Sequence, residues 1–483
     1  MSVAITSPEF KQNATEALAD PQLQAALAKA GPGFVGKRRD AIAKLPEFDA
    51  LRDSVRDIKN HTLAHLDLYL ERFEEKVREA GGQVHFAVDA AEAREIITGI
   101  CQRLDARTVT KSKSMVSEEI GINDHLAAAG ITPVETDLGE YIIQIRGESP
   151  SHIIAPAIHL NKDQVEADFR RVHTDLPADR DLVEPTALLA EARGELRQRF
   201  LAADVGLTGA NVLVAETGAA VIVTNEGNAD LTQTLPKAHI VLASIEKLVP
   251  TLEDAHQLLR VLARSASGQD MSVYTTFACG PRRALDPDGP GEFHVVLLDN
   301  GRSAMLGGTL KEMLRCIRCG ACMNHCPVYQ SVGGHAYGWV YPGPMGSVLT
   351  PAMIGIDKGA NLPNASTFCG RCEEVCPVRI PLPKLLRHWR QQEFERHLTP
   401  APQRYGLKLW AFLARNGWLY RPATRLAMRA LSLFGRDKGR FASMPLAGGW
   451  TATRDFPAPE GDTFQAQWRA RKAAGTTSRS PAP

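Results

Sequence analysis

The sequence predicts an α/β domain with a largely parallel sheet, then a small helical domain built around cysteines, then a helical C-terminal region. Three observations carry this. Between residues 84 and 298 short apolar runs alternate with helical stretches; seven of the nine cysteines fall into two compact runs; and beyond residue 400 apolar residues return at helical spacing. The expected boundaries are a helical arm over 1–50, the α/β domain over 51–300, the cysteine domain over 301–395, and a C-terminal helical region over 396–483 with a disordered tail.

The first 48 residues are polar and Ala-rich, interrupted by Gly31-Pro32-Gly33, which predicts short helices, with Lys37-Arg38-Arg39 on a solvated face. From Leu51 to Ala80, Leu63, Leu66, Leu70, Phe73 and Val77 recur at three- and four-residue steps, an amphipathic helix stopped by Gly81-Gly82. His61 and His65 share a face at i, i+4, a spacing open to metal binding or to plain surface histidines. Strands are expected at Val84–Val88, Thr108–Thr110, Thr132–Glu135, Ile153–Ala155, Asn211–Ala215, Ala219–Thr224, His239–Ala243 and His294–Leu298. Helices are expected at Ala90–Leu104, Ser117–Ala129, Lys162–Thr174, Pro185–Ala202 and Leu252–Ser265. Pro185 suits a first helical position, where its missing N–H costs nothing.

Two loops of this domain carry site chemistry. Lys111-Ser112-Lys113-Ser114-Met115 follows a strand, and its hydroxyls and lysines suit an anion at a helix start, though Ser117 with Glu118-Glu119 also reads as ordinary helix-start chemistry. Ala215-Glu216-Thr217-Gly218 and Thr224-Asn225-Glu226-Gly227-Asn228 flank one strand. They read either as turns or as the rim of a pocket at strand ends. Lys111, Lys113, Glu216, Asn225 and Glu226 are therefore the candidate ligand contacts.

Cys316-Ile317-Arg318-Cys319-Gly320-Ala321-Cys322-Met323-Asn324-His325-Cys326-Pro327 has the C-x2-C-x2-C-x3-C-P spacing that holds [4Fe–4S] clusters. It is answered by Cys369-Gly370-Arg371-Cys372-Glu373-Glu374-Val375-Cys376-Pro377. In two-cluster proteins the Cys before Pro reaches the other cluster. That rule gives Cys316, Cys319, Cys322 and Cys376 to one cluster, and Cys326, Cys369 and Cys372 to a second. Position 366, where the second run would begin, is Ser366. Ser366, water, another residue or a partner would complete the second cluster, or it would be [3Fe–4S]. Zinc is the alternative for C-x2-C pairs, but seven thiols with two Cys-Pro endings fit tetrahedral zinc poorly. Between the runs, Gly333 to Pro344 is a loop rich in Gly, Pro and aromatics, suited to screening a cluster from water. Past Pro383, Lys384–His397 reads as a helix. Tyr405–Phe434 reads as a helical pair with a break near Gly417, covering the cysteine domain or offering a partner surface, and Ala473–Pro483 as disordered.

Composition excludes several classes. With 56 basic and 55 acidic residues the net charge is +1, so neither nucleic acid nor an anionic membrane is indicated as the main partner. Two cysteines outside the runs do not make a disulfide framework, and reduced cluster thiolates point to the cytoplasm. No basic-then-apolar leader and no apolar stretch of membrane-spanning length is evident. No G-x-G-x-x-G follows a strand, so no dinucleotide site is indicated.

Over about residues 50–475 the chain resembles the lactate utilization protein B family. The resemblance is carried by Lys111-Ser112-Lys113-Ser114-Met115, Glu135-Thr136-Asp137-Leu138-Gly139-Glu140-Tyr141, Glu216-Thr217-Gly218, Thr224-Asn225-Glu226-Gly227-Asn228, Tyr274-Thr275-Thr276-Phe277, both cysteine runs and Tyr341-Pro342-Gly343-Pro344. It implies an LUD-type α/β domain, similar to sugar-isomerase and CoA-transferase-like folds, then a ferredoxin-type domain and a family-specific C-terminal region. It also implies an iron–sulfur electron-transfer role in L-lactate oxidation, alongside two companion proteins, one cysteine-rich and one with an LUD domain. An enzyme whose α/β domain itself binds a small acid, CoA or nucleotide ligand is the alternative.

Overall fold

A computed structural model describes residues 5–435, 439–444, 448–451, 454–459 and 461–473. It divides into two units, residues 1–395 and 396–483. The first unit contains ten strands: β1 Gln83–Ala87, β2 Thr108–Lys111, β3 Thr132–Glu135, β4 Val205–Gly209, β5 Val212–Val214, β6 Ala219–Thr224, β7 Ala238–Ser244, β8 Leu248–Val249, β9 Tyr274–Ala278 and β10 Glu292–Leu298. Six form one sheet in the order β1-β10-β7-β4-β2-β3, every pair parallel. The α/β expectation therefore holds.

Both faces of that sheet are covered, as a parallel sheet requires. In β7 the alternation is explicit: Ile240 and Leu242 face a core with Ile97, Val109, Ile120 and Leu126, while Val241 and Ala243 face one with Phe73, Val77, Leu213 and Phe293. A smaller sheet, β8-β5-β6-β9, pairs β5 with β6 and β6 with β9 antiparallel, and β5 with β8 parallel.

Several expectations need correction. The helix expected over 51–80 is two, Phe48–Ala64 and Leu66–Glu79, broken at His65. Thr62 Oγ1 donates to the Ile58 carbonyl at 2.8 Å just before the break, a back-bond that bends helices. The helix expected over Ser117–Ala129 begins at Met115, with Ser114 rather than Ser117 as its cap, and is divided at Gly121, where φ is +62°. Ile153–Ala155 is not a strand: the Ile154 and Ala155 amides both donate to His152 Nδ1, at 3.0 and 3.1 Å, and turn the chain. The arm is not a set of short helices. It contains Phe10–Ala19 and the 23-residue Pro21–Ala43, which runs through Pro32. Gly31 lets this helix approach the cysteine domain, since a Cβ there would lie 3.0 Å from Gln330 Nε2. Nor is the basic run wholly solvated, because Arg38 Nη2 donates to the Val375 carbonyl at 2.9 Å.

Strand β4 was not anticipated, because two glycines in five residues read poorly as strand. Gly206 is required there for space: a Cβ would stand 1.8 Å from the Thr232 carbonyl oxygen, so the helix Asn228–Thr234 lies directly on the sheet.

The second unit holds the helices Ala401–Arg415 and Gly417–Gly435, divided at Asn416 close to the expected break. It also holds a short antiparallel pair, Arg440–Phe441 with Phe456–Pro457, and the helix Phe464–Ala473. Asp462 takes ion pairs from Arg425 and Arg429 at 3.2 and 3.6 Å. The tail expected to be disordered lies, from residue 474 on, outside the described residues. Among the described residues no helix is long and apolar enough to cross a membrane.

Gly206→Ala should lower stability by about 1–3 kcal/mol through overpacking. Thermal unfolding of both proteins measures it, and an unchanged midpoint would mean that the helix over β4 yields freely.

Candidate functional site

The two cysteine runs are the same backbone built twice. Each position of the first run recurs 50 residues later: 319 at 369, 322 at 372, 326 at 376. Arg318 and Phe368, each before a cysteine, have φ of +58° and +55°; Gly320 and Gly370, each after one, have +73° and +83°. Each glycine then caps a one-turn helix, Ala321–Asn324 and Arg371–Glu374. In this register Ser366 stands where Cys316 stands in the first run. Its hydroxyl accepts from the Phe368 amide at 3.2 Å.

Folding brings the seven thiols into two neighbourhoods. Cys319 and Cys322 interact electrostatically with Cys316 and Cys376, whereas Cys326 and Cys372 interact with each other and with Cys369. Cys322 also senses Cys372, so the neighbourhoods adjoin. Burial, reinforced by the neighbouring thiols, pushes Cys319 and Cys372 up to about 12. Cys369 is exposed.

The arm and the following helix clasp this region. Arg52 donates to the Cys376 carbonyl from Nε and Nη2, at 3.1 and 2.8 Å. Arg379 pairs with Asp53 at 3.0 Å. Lys59, buried in the helix Phe48–Ala64, donates to the carbonyls of Glu246 and Leu248. Tyr337 and Tyr341, from the loop between the runs, are fully buried, and Tyr337 packs on Phe10 with centroids 5.3 Å apart. His335 is engaged with the α/β domain, its Nε2 2.7 Å from the Ser149 carbonyl.

A buried circuit of charge joins the cysteine domain to the sheet. Glu119 accepts from Arg302 at 2.9 and 2.7 Å and from Tyr341 Oη at 2.5 Å. Arg302 also pairs with Glu246 at 2.9 Å, and Glu246 with Arg318 at 3.4 Å. Arg318 closes the circuit over the Tyr341 ring, 4.7 Å from its centroid. Despite burial, the surrounding cations hold Glu246 down at about 2.

At the carboxyl ends of β2, β4 and β7 lies a cavity of about 530 Å³. Lys113, Asn225 and Glu226 line it together, as the sequence suggested. Lys111 and Glu216 do not. Lys111 is buried and paired with Glu118 at 3.1 Å and Glu135 at 2.5 Å, and Glu216 sits in the β5–β6 hairpin turn, accepting from the Leu252 amide at 3.1 Å. Sequence reasoning missed Lys247 and Arg318, which also line the cavity. Arg318 was visible inside the cysteine motif, but nothing marked it as facing the sheet. Among the described residues His61 and His65 belong to no group of three metal-binding side chains; their rings lie 4.9 Å apart, and His61 Nε2 is 2.9 Å from Tyr69 Oη.

The family models for the LUD domain, the 4Fe-4S dicluster domain and the C-terminal region of lactate utilisation protein B match residues 70–298, 312–380 and 395–473. Lactate utilization protein B of Macrococcus caseolyticus is 43% identical over 469 residues, 96% of this chain and 98% of its own. The chain belongs to the lactate utilization protein B family. Within it, the protein of that name from Shouchella clausii is 41% identical over 98% of this chain and 99% of its own. The "uncharacterized electron transport protein YkgF" of Escherichia coli is 40% identical over the same shares. A crystal structure of a DUF162 family protein from Deinococcus radiodurans aligns with 48% of this chain and 98% of its own at 15% identity and a TM-score of 0.27.

The cysteine region is thus an iron–sulfur domain, and its residues fit that cofactor. Crowded thiols raised by burial favour thiolate only when a cation shares them. The Ile380 amide donates to Cys376 Sγ at 3.3 Å, a bond of the type that tunes such centres.

Acid should loosen this fold before carboxylates titrate. Burial pushes His152, hydrogen-bonded to Asn324 in the first cysteine loop, down to about 4, and His239 down to about 3. The unfolded chain takes up these protons near pH 6.5 and the folded chain does not. Stability should therefore fall as pH drops from about 6.5 toward 4. Urea midpoints at pH 7 and 5 read this, and His152→Gln should flatten the slope; a wild-type slope in that variant would exonerate His152.

Proposed function

We propose that this chain is the iron–sulfur electron-transfer subunit of a cytoplasmic assembly that oxidises L-lactate to pyruvate. The observation that carries the reading is the duplicated cysteine backbone with adjoining thiol neighbourhoods. The family membership and the electron-transport name of one relative support it. Cys316, Cys319, Cys322 and Cys376 hold one cluster; Cys326, Cys369 and Cys372 hold a second, with Ser366 at its fourth position. Bound there, such clusters supply one-electron redox chemistry.

The chain's own residues prepare that chemistry. Arg38, Arg52, Lys59, Lys247 and Arg318 bring positive charge to the first neighbourhood, which favours thiolate and a reduced centre. The arm covers Cys319 of this neighbourhood, and Tyr337 is buried where the two neighbourhoods adjoin, beside Cys326 and Cys322. The second neighbourhood, with Cys369 exposed, faces solvent and suits exchange with a partner. The companions are a cysteine-rich protein and a second LUD-domain protein, as expected of this family.

Anaerobically prepared protein should contain iron and sulfide and be reducible, yet should not turn over lactate without its companions. Colourless, zinc-bearing protein would defeat the iron–sulfur reading, and lactate turnover by the isolated chain would defeat the subunit reading. Air exposure should convert the second cluster to a [3Fe–4S] form with a new paramagnetic signal, because one corner lacks a thiolate. Ser366→Cys should suppress that signal at least several-fold. A signal of unchanged size would show either that residue 366 does not face the cluster or that another group already closes it.

A further inference from the structure

Lys247 has no counterpart to answer it. It follows β7, is 7% exposed, lines the cavity, and its ammonium makes no hydrogen bond or ion pair among the described residues. The acids at the cavity are engaged elsewhere: Glu246 with Arg302 and Arg318, Asp137 with Lys113 at 3.3 Å, and Glu226 accepting from the Leu138 amide at 3.3 Å. A lysine nine-tenths buried with no hydrogen-bond or ion-pair partner is costly, because the attraction of nearby Glu246 offsets its desolvation only in part. The cavity it faces is of the size that holds small organic ligands and lies at the strand ends where open α/β sheets bind them.

The position of this charge gives it a second property. Lys247 interacts electrostatically with Cys316, and Arg318, between Cys316 and Cys319, lines the same cavity. An anion seated on Lys247 thus lies within electrostatic reach of the first cysteine group.

We propose that the cavity binds a small organic oxyanion through the Lys247 ammonium, and that its occupancy is coupled to the charge state of the first iron–sulfur centre. The coupling rests on the electron-transfer reading; the binding does not. Its sign is fixed: a bound anion opposes added negative charge, so it lowers the midpoint potential. By reciprocity the oxidised protein binds the anion more tightly than the reduced. A tenfold difference in affinity corresponds to about 59 mV for one electron.

The test uses anaerobic, cluster-loaded full-length protein with L-lactate, pyruvate and inorganic phosphate as separate probes, at fixed ionic strength. Calorimetry should detect binding of at least one, and the probe that binds identifies the carboxylate or phosphate source. Lys247→Met should weaken binding at least tenfold, while Lys247→Arg retains it. In a redox titration that probe should lower one midpoint in wild type and leave it fixed in Lys247→Met. If wild-type protein binds none of the probes, or Lys247→Met binds as well as wild type, Lys247 is a hydrated lysine that tunes the centre and the proposal fails. Binding without a potential shift overturns the coupling. Protein lacking iron would sink the electron-transfer reading while leaving the calorimetric result to decide the site.

Discussion

The circuit of Glu119, Arg302, Glu246, Arg318 and Tyr341 is the constraint on which the rest of the first unit depends. Its members come from a helix after β2, the turn after β10, the turn after β7, the first cysteine loop and the loop between the runs. Buried charges are tolerated only when paired, and removing one member strands another at a cost of about 3–5 kcal/mol. No member can therefore move alone. The circuit fixes Arg318 against the sheet, and with it the register of Cys316 and Cys319. Because Glu246 and Lys247 are adjacent in sequence, the same anchorage sets Lys247 at the cavity wall. One ionic junction thus gives the iron–sulfur region and the cavity a common boundary.

The two domains use different physics on either side of that boundary. The α/β domain is held by burial of both sheet faces, the ordinary solution for parallel strands. The cysteine domain is built of short helices around two longer ones, Gly343–Ile354 and Leu382–Glu395, and its second cysteine loop is pinned from outside by Arg38 and Arg52 reaching the carbonyls of Val375 and Cys376. Those cations satisfy the backbone and set the local potential together, so the residues that secure the loops also bias the chemistry within them.

What the sequence revealed follows from what its signals encode. The apolar runs at β7 and β10 declared a covered sheet, because alternation and length are local properties. Cysteine spacing declared the metal chemistry for the same reason. Strand β4 stayed hidden because its Gly206 answers to Thr232, a partner known only after folding. The break at His65 and the turn at Ile154 arose from bonds of individual side chains, Thr62 and His152, that periodicity does not register. In the cavity, Lys113, Asn225 and Glu226 were legible as loop residues after strands. Lys111 was an equally good candidate by type, but buried carboxylates claim it. Lys247 and Arg318 were illegible, because their significance is relational: one lacks a partner and the other faces two sites.

The arm bears on how the protein matures. Cys319 and Cys376 are buried beside Arg38 and Arg52, and the Thr6 amide bonds to the Gly338 carbonyl at 2.8 Å to hold the arm's start against the loop between the runs. Metal binding that orders the loop around Cys376 therefore also favours docking of the arm and the following helix, because Arg38 and Arg52 bond to the carbonyls of Val375 and Cys376.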